Sequence, residues 1–171
     1  LYDFSGAICD MVIAVIAVVL SITLPVLSKV RQVAYRMRCR TNLHGIAHGL
    51  RMFLDDNDNF MPDACRMPSL KLNDKKPITH FLDEYVDNND VYCCPADLNQ
   101  EYFKREGTSY EFNAMLAGKQ VSKTFLVTKG KQKEKNIHVL NDYNPFHGEA
   151  GKPGAVNYLY ADCHIGNLKD Q

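Results

Sequence analysis

A chain of 171 residues with 46% hydrophobic and 10% aromatic residues has the composition of a folded protein, which excludes a wholly disordered chain. Its 20 basic and 20 acidic residues leave no net charge, so the overall charge gives no indication of nucleic acid binding. This length leaves room for one ordinary domain beside a long N-terminal helix.

The segment from Ala7 to Leu27, AICDMVIAVIAVVLSITLPVL, is long and apolar enough to cross a bilayer. It contains one carboxylate, Asp10, and no basic residue. It lacks the basic start and the small-residue cleavage site of a secretory signal, so we expect a membrane anchor with a processed N-terminus.

Two residues of this segment, Asp10 and Pro25, are unusual inside a membrane helix. An isolated carboxylate at the centre of such a helix costs about 2.5 to 3.5 kcal/mol on insertion scales, so Asp10 should have a cationic partner. Pro25 removes a backbone donor, which costs about 3 kcal/mol in a helix interior. We therefore expect a kink or locally unwound backbone near residues 21 to 25.

The apolar segment continues without a break into an amphipathic helix that ends near Leu54, for a total length of about 70 Å. The apolar residues of this second half change face partway along. The outer stripe, which we expect to face other molecules, is formed by Val30, Val33, Ala34, Met37 and Thr41. The inner stripe, which we expect to pack on the chain's own C-terminal domain, is formed by Leu43, Ile46, Ala47, Leu50, Phe53 and Leu54.

Charges are segregated along the same helix and the loop that follows it. The basic residues Lys29, Arg31, Arg36, Arg38 and Arg40 come first, with no acid among them. The acidic residues Asp55, Asp56, Asp58 and Asp63 come next, with no base among them. One interpretation is a solvated basic collar at a membrane surface.

The C-terminal part has the pattern of a small, mostly antiparallel sheet. PITHFLDEYVDNND, residues 77–90, predicts a short helix, and VYCCPAD, residues 91–97, predicts a brief strand. Further strands are predicted in SYEFNAML, KTFLVTK, KNIHVL and AVNYLYADCHIGNL, residues 109–116, 123–129, 135–140 and 155–168. No long linker separates this part from the helix.

Six cysteines are many for a chain of this length, and an anchored domain usually lies on the oxidising side of its membrane. We expect one or two disulfides among Cys65, Cys93, Cys94 and Cys163. Cys9, inside the apolar segment, is interpreted as a small packed hydrophobe. No cysteine pair has the C-x2-C spacing typical of zinc, so the sequence predicts no zinc site.

Five segments in the same order resemble the prepilin-type proteins, which include type IV pilins and the pseudopilins of type II secretion systems. They are LPVLSKVRQVAYRMRCRTNL, GLRMFLDDNDNFMP, YVDNNDVYCCPAD, GTSYEFNAML and the segment from His147 to His164. The resemblance implies an α+β fold in which a long N-terminal helix packs on a small antiparallel sheet. It divides the chain into a hydrophobic helix at 1–28, an amphipathic continuation at 29–54 and a globular head domain at 55–171.

The chain departs from the family pattern near its N-terminus. Counting back from Pro25 places Phe4 at the first mature position, and Ile8 stands where the family has Glu. The role of that Glu is therefore assigned to Asp10 or Asp3. By this interpretation Asp10 pairs with the α-ammonium group of a neighbouring subunit, which Leu1 would carry. At the other end Cys163 replaces the Gly of the family's C-terminal motif.

By resemblance, the chain is a structural subunit of an extracellular helical filament, a type IV pilus or pseudopilus, rather than an enzyme. Its partners would be identical subunits, a prepilin peptidase and the assembly machinery of the inner membrane, which holds the unassembled precursor. No nucleic acid and no cofactor are implied. Between staggered subunits we expect one of Arg36, Arg38 and Arg40 to contact one of Asp55, Asp56 and Asp58.

The alternative is a membrane-anchored periplasmic binding or enzymatic domain that does not polymerise. A Cys-His nucleophile pair could combine Cys163 with His147 or His138, but no local signature supports it. Some pseudopilins stabilise a C-terminal loop with calcium, and oxygen ligands for calcium are offered here by Asn141, Asp142, Asn144 and Glu149, without an EF-hand pattern.

Overall fold

The structure is a computed structural model that describes residues 4–71 and 74–167, with side chains described from Asp10 onward. The chain divides into two compact units, Leu1–Ala34 and Tyr35–Gln171. The first long element, α1, extends from Phe4 to Asp56 and so belongs to both units.

Helix α1 continues through Pro25, so the backbone at residues 21–25 is not unwound, and the alternative expectation of a kink there stays a prediction. Two hydroxyls in that region donate to carbonyls one turn earlier, from Ser21 Oγ to Val18 O at 2.7 Å and from Thr23 Oγ1 to Val19 O. A single missing backbone donor in a helix of this length leaves the flanking turns intact, and neighbouring hydroxyls add local hydrogen bonds.

The sheet of the second unit has four antiparallel strands in the order β1-β2-β3-β4. They are β1 (Tyr110–Phe112), β2 (His138–Asp142), β3 (Tyr158–Tyr160) and β4 (Ile165–Gly166). Tyr110 lies opposite Asp142, and Tyr158 lies opposite Gly166. A register shift between His138 and Leu140 interrupts the pairing of β2 with β3.

Short helices precede β1 and connect β1 to β2. The α-helical ones are α2 (Ile78–Leu82), α3 (Glu101–Glu106) and α4 (Phe125–Thr128). The 3-10 turns are Pro68–Leu70, Asn89–Tyr92, Leu98–Gln100, Ala114–Leu116, Val121–Lys123 and Glu134–Asn136. The predicted helix at 77–90 is therefore present but ends after its first turn.

Two predicted strands are wrong, and local hydrogen bonds explain both. Residues 91 and 92 instead belong to the 3-10 turn Asn89–Tyr92, and no strand follows at 93–97. Asn88 caps this turn, because its side chain accepts from the Asp90 N–H at 2.8 Å. In 123–129 the Thr124 carbonyl accepts from the N–H groups of Val127 and Thr128, which closes α4. The apolar residues there are consecutive rather than alternating, so the run suits one helical turn as well as a strand.

The core of the second unit lies between the inner stripe of α1 and the sheet. Five of the six inner-stripe residues are buried and Phe53 is half-buried, which confirms their predicted packing on the chain's own domain. Tyr92, Tyr110, Phe112 and Tyr160 are the largest fully buried side chains. The fold is thus α+β, with a long N-terminal helix and a small antiparallel sheet, as the sequence predicted.

Candidate functional site

The apolar helix surface consists of the large apolar side chains of α1 from Met11 to Val33. Each of them is between 51% and 69% exposed. The members are Met11, Val12, Ile13, Val15, Ile16, Val18, Val19, Leu20, Ile22, Leu24, Val26, Leu27, Val30 and Val33. By length and composition this helix could cross a membrane. A continuous apolar surface of this size marks contact with lipid or with other protein.

Asp10 stands at the N-terminal end of this surface and is exposed. It forms no salt bridge with the residues whose side chains the structure describes. Leu1 and Asp3, the other two N-terminal assembly candidates, lie outside the described residues. The expected cationic partner of Asp10 is therefore not found within the described chain, and the pairing stays a prediction.

Two of the basic residues assigned to neighbouring subunits bind the chain's own C-terminal segment. Arg36 Nη2 donates to Asn167 Oδ1 at 2.7 Å, and Arg40 Nη2 donates to the Ile165 carbonyl at 2.9 Å. Both side chains are half-buried, whereas Arg38 is exposed. Sequence spacing could not predict these two hydrogen bonds, because they form only when the fold brings β4 back to α1. Of the three arginines, Arg38 is the one left exposed to contact another molecule.

The three acidic candidates are exposed at the end of α1 and in the following turn. Asp55 pairs with Arg51 at 3.4 Å, with both side chains 60% exposed. Asp56 accepts a hydrogen bond from the Tyr85 hydroxyl at 3.1 Å, and Asp58 has a left-handed backbone with φ 51°. Their carboxylates remain open to solvent and to a neighbouring chain.

The structure joins Cys39 to Cys94, with their Cα atoms 5.3 Å apart. The expectation that a disulfide would join two of Cys65, Cys93, Cys94 and Cys163 is therefore wrong. Cys94 is paired, but with Cys39, and the other three cysteines of that set are free. Cys39 belongs to the inner face of α1, four residues before Leu43, and is fully buried. That helical spacing is the sequence signal for Cys39, although its neighbours Arg38 and Arg40 are basic.

A buried carboxylate and a buried imidazole lie against this disulfide. His147 Nε2 is 3.5 Å from Cys94 Sγ and 3.5 Å from Asp142 Oδ2. Asn157 holds the carboxylate in place, because its backbone N–H and its side-chain amide donate to Asp142 Oδ2 at 2.7 and 3.1 Å. Asp142 comes from the end of β2 and His147 from the loop between β2 and β3.

Burial governs the ionisation of this pair. Burial raises the pKa of Asp142 to about 7, against the opposing effect of the Asn157 hydrogen bonds and the Arg36 charge. Burial lowers the pKa of His147 to about 4, and the positive charge of Arg36 acts in the same direction. His147 is therefore neutral at pH 7, and its contact with Asp142 is not an ion pair.

Several buried polar atoms around this pair have no hydrogen-bond partner among the described residues. They are Asp142 Oδ1, His147 Nδ1, Asn157 Oδ1 and Arg36 Nε. Most buried polar groups in folded proteins are paired, so this concentration is unusual. One donor atom from each of Cys39, Cys94, Asp142 and His147 lies within 4.8 Å of the others, which is close enough to surround a metal ion.

The structure gives the other predicted site residues separate surroundings. Cys163 lies beside His44 and His48 in a shallow cavity that His147 does not line, and burial raises the pKa of its thiol. His138 packs edge-on against Tyr158. Among the calcium candidates, Asp142 binds Asn157 in the core while Glu149 is exposed and pairs with Lys152. Asn141 donates to the Asp142 carbonyl, and Asn144 is exposed.

The chain matches no family model, no curated protein and no solved structure in comparisons with all three. The resemblance to prepilin-type proteins therefore stays a prediction from the five sequence segments.

Proposed function

We propose that the chain is a structural subunit of a helical filament of the pilus or pseudopilus type, which polymerises through the apolar helix surface. The observation that carries this proposal is that surface itself, which extends over about six helical turns on the same helix whose second half enters a folded head domain.

An apolar face of this length is stable in lipid or against other apolar helices, and not in water. Complete burial of one large aliphatic side chain contributes about 1.5 to 3 kcal/mol, so exposure of the whole face to water would be strongly unfavourable. Exchange of lipid for the same helix of neighbouring copies keeps the face buried at little cost in hydrophobic energy. One surface can then serve first as an anchor and later as the filament core.

The head domain is built to hold the helix that enters it. The inner stripe is buried in the core, and the Cys39–Cys94 disulfide links α1 covalently to the head across a sequence separation of 55 residues. A filament subunit needs such a connection, because force on the head has to reach the helix core without unfolding the domain.

The test compares filament yield for Ile16→Lys, in the apolar helix surface, with Leu98→Lys in the head, where Leu98 is 76% exposed. We expect filaments in sheared surface fractions, seen by negative-stain microscopy, for the unaltered chain and for Leu98→Lys, and none for Ile16→Lys. Asp10→Ala should also abolish filaments while the chain still resists alkaline extraction from membranes. Dispersed particles in the sheared fraction of the unaltered chain, with all protein retained in membranes, would favour the anchored periplasmic domain instead.

A further inference from the structure

We propose that Cys39, Cys94, Asp142 and His147 form a binding site for one zinc-class divalent cation when the Cys39–Cys94 disulfide is reduced. This four-residue cluster would then connect α1 to the head in one of two ways, through the disulfide when the cysteines are oxidised and through the bound cation when they are reduced. The proposal goes beyond the filament function and does not depend on it.

The cluster gathers four separate parts of the chain at one buried point. Cys39 lies on α1, Cys94 follows the 3-10 turn Asn89–Tyr92, Asp142 ends β2, and His147 lies in the next loop. All four residues are buried, and one ligand atom from each lies within 4.8 Å of the other three. Structural metal sites combine ligands from separate elements in this way.

The distances fit a tetrahedral site. Zinc bonds of about 2.0 to 2.3 Å place neighbouring ligand atoms of a tetrahedron about 3.3 to 3.8 Å apart. His147 Nε2 is 3.5 Å from Cys94 Sγ and 3.5 Å from Asp142 Oδ2, so two ligand-to-ligand distances already lie in that range. Reduction frees the two sulfur atoms to separate to the same spacing by small side-chain rotations.

The donor set favours zinc over calcium or magnesium. Two thiolates and an imidazole are ligands for a borderline-soft ion, whereas calcium and magnesium prefer oxygen ligands alone. The second coordination sphere is also present in part, because Asn157 donates twice to Asp142 Oδ2 and orients the carboxylate. Arg36 is close enough to act electrostatically on both Asp142 and His147, so it would offset the negative charge of the loaded cluster.

A disulfide alone does not account for the polar side chains around it. Asp142 and His147 have side chains that are 0% and 1% exposed, and desolvation of such groups is unfavourable without full hydrogen bonding. Asp142 Oδ1 and His147 Nδ1 have no partner among the described residues. A cation bound by His147 Nε2 and one oxygen of Asp142 would compensate the charge of this buried carboxylate, while His147 Nδ1 would still have no partner among the described residues.

The chemistry balances with a phosphine as the reductant. The phosphine and one water convert the disulfide to two thiols and phosphine oxide, with transfer of two electrons to sulfur. Binding of the divalent cation then replaces the two thiol protons, which leave to solvent. A phosphine is preferable to a dithiol in the experiment, because a dithiol would itself chelate the metal.

The test uses the full chain in detergent, with Cys9, Cys65, Cys93 and Cys163 replaced by Ser so that the cluster holds the remaining thiols. After anaerobic reduction and removal of the phosphine, Co²⁺ is added as a spectroscopic probe and then displaced with Zn²⁺. We expect one Co²⁺ per chain, with thiolate charge-transfer and tetrahedral d–d bands, and no such bands for the oxidised chain. Displacement by Zn²⁺ should follow with a stoichiometry of one.

Two variants separate the four-residue cluster from a simple pair of thiols. His147→Gln and Asp142→Asn should each weaken Zn²⁺ binding at least tenfold, while Glu149→Gln, outside the cluster, should leave binding unchanged. Near-UV circular dichroism of each oxidised variant shows that its fold is retained. The proposal is overturned if the reduced chain binds no Co²⁺, if it unfolds without regaining structure on addition of Zn²⁺, or if neither variant changes the affinity.

Discussion

At the scale of single residues, Glu106 is a carboxylate stabilised inside the head domain. Its side chain is fully buried and accepts hydrogen bonds from Ser69 N–H at 3.0 Å, from Ser69 Oγ at 2.6 Å and from Arg105 Nε at 2.8 Å. Burial by itself would raise the pKa of Glu106, but the hydrogen bonds from Ser69 and the Arg105 charge outweigh it and leave the pKa below its ordinary value. The folded chain therefore stabilises the ionised form of Glu106.

This shift predicts a loss of stability in acid. A carboxyl whose pKa is lower in the folded chain contributes stability above its unfolded pKa of about 4.3 and loses that contribution as the pH falls through the folded value. We expect the free energy of unfolding of Glu106→Gln to be lower than that of the unaltered chain at pH 7. The difference should shrink between about pH 5 and pH 3, as measured by urea unfolding in detergent. A difference that stays constant over this range would contradict the assignment.

At the scale of elements, the loop before β3 lies against the guanidinium of Arg36, at the end of a long side chain on α1. Gly154 has φ 87°, and a Cβ there would lie between 2.5 and 2.8 Å from three atoms of the Arg36 guanidinium. Gly151 has a similar φ of 80°, but a Cβ there would have nothing within 4 Å. The two glycines thus share a left-handed backbone and differ in their surroundings.

We predict that Gly154→Ala destabilises the head more than Gly151→Ala does. Both changes place a Cβ in the left-handed region, at a cost of about 1 to 2 kcal/mol. Gly154→Ala also displaces Arg36 from Asn167 or strains the loop, which should add about 1 to 3 kcal/mol. Chemical denaturation of both variants measures the difference. Equal destabilisation would show that the contact with Arg36 contributes nothing.

The same elements show how far the sequence could predict this structure. The inner stripe and the strands within 109–116, 135–140 and 155–168 were predictable, because each follows a regular period or a run of β-branched and aromatic residues. The predicted strands at 91–97 and 123–129 were wrong, because turn hydrogen bonds around Asn88 and Thr124 outweigh strand propensity.

The buried cluster was beyond prediction from spacing. Cys39, Cys94, Asp142 and His147 are far apart in the sequence and meet through tertiary packing. The helical period could place Cys39 on the buried face of α1, but nothing in the sequence shows which cysteine lies opposite it. The polar neighbours of Asp142 in the sequence favour a calcium site, whereas its carboxylate points into the core toward Asn157 and His147.

At the scale of the whole molecule, the distribution of exposed charge bears on how copies would meet in the proposed filament. Arg38 is exposed on α1, and Asp55, Asp56 and Asp58 are exposed at its end. About 17 residues of helix separate Arg38 from Asp55, or some 25 Å, so their charges cannot pair within one chain. A neighbouring copy displaced along the helix axis by that distance would bring them together.

We predict that the contact between Arg38 and the acidic residues of a neighbouring copy stabilises filaments because it recurs at every subunit, although each single contact is weak. An exposed ion pair contributes about 0 to 1 kcal/mol, so Arg38→Ala should still assemble. Arg38→Glu turns attraction into repulsion at every subunit, so filaments should become shorter or fewer by negative-stain microscopy. Lys123→Glu, an exposed basic residue of the head, is the matched control and should assemble normally.

The decisive comparison adds the opposite reversal to the same chain. Asp55→Lys, Asp56→Lys and Asp58→Lys, combined with Arg38→Glu, should restore part of the lost filament length, because each interface again holds opposite charges. Arg36 and Arg40 are left unchanged, since their hydrogen bonds to Asn167 and Ile165 stabilise the head itself and their reversal would confuse folding with assembly. If the combined variant assembles no better than Arg38→Glu alone, the acidic residues are not the partner of Arg38.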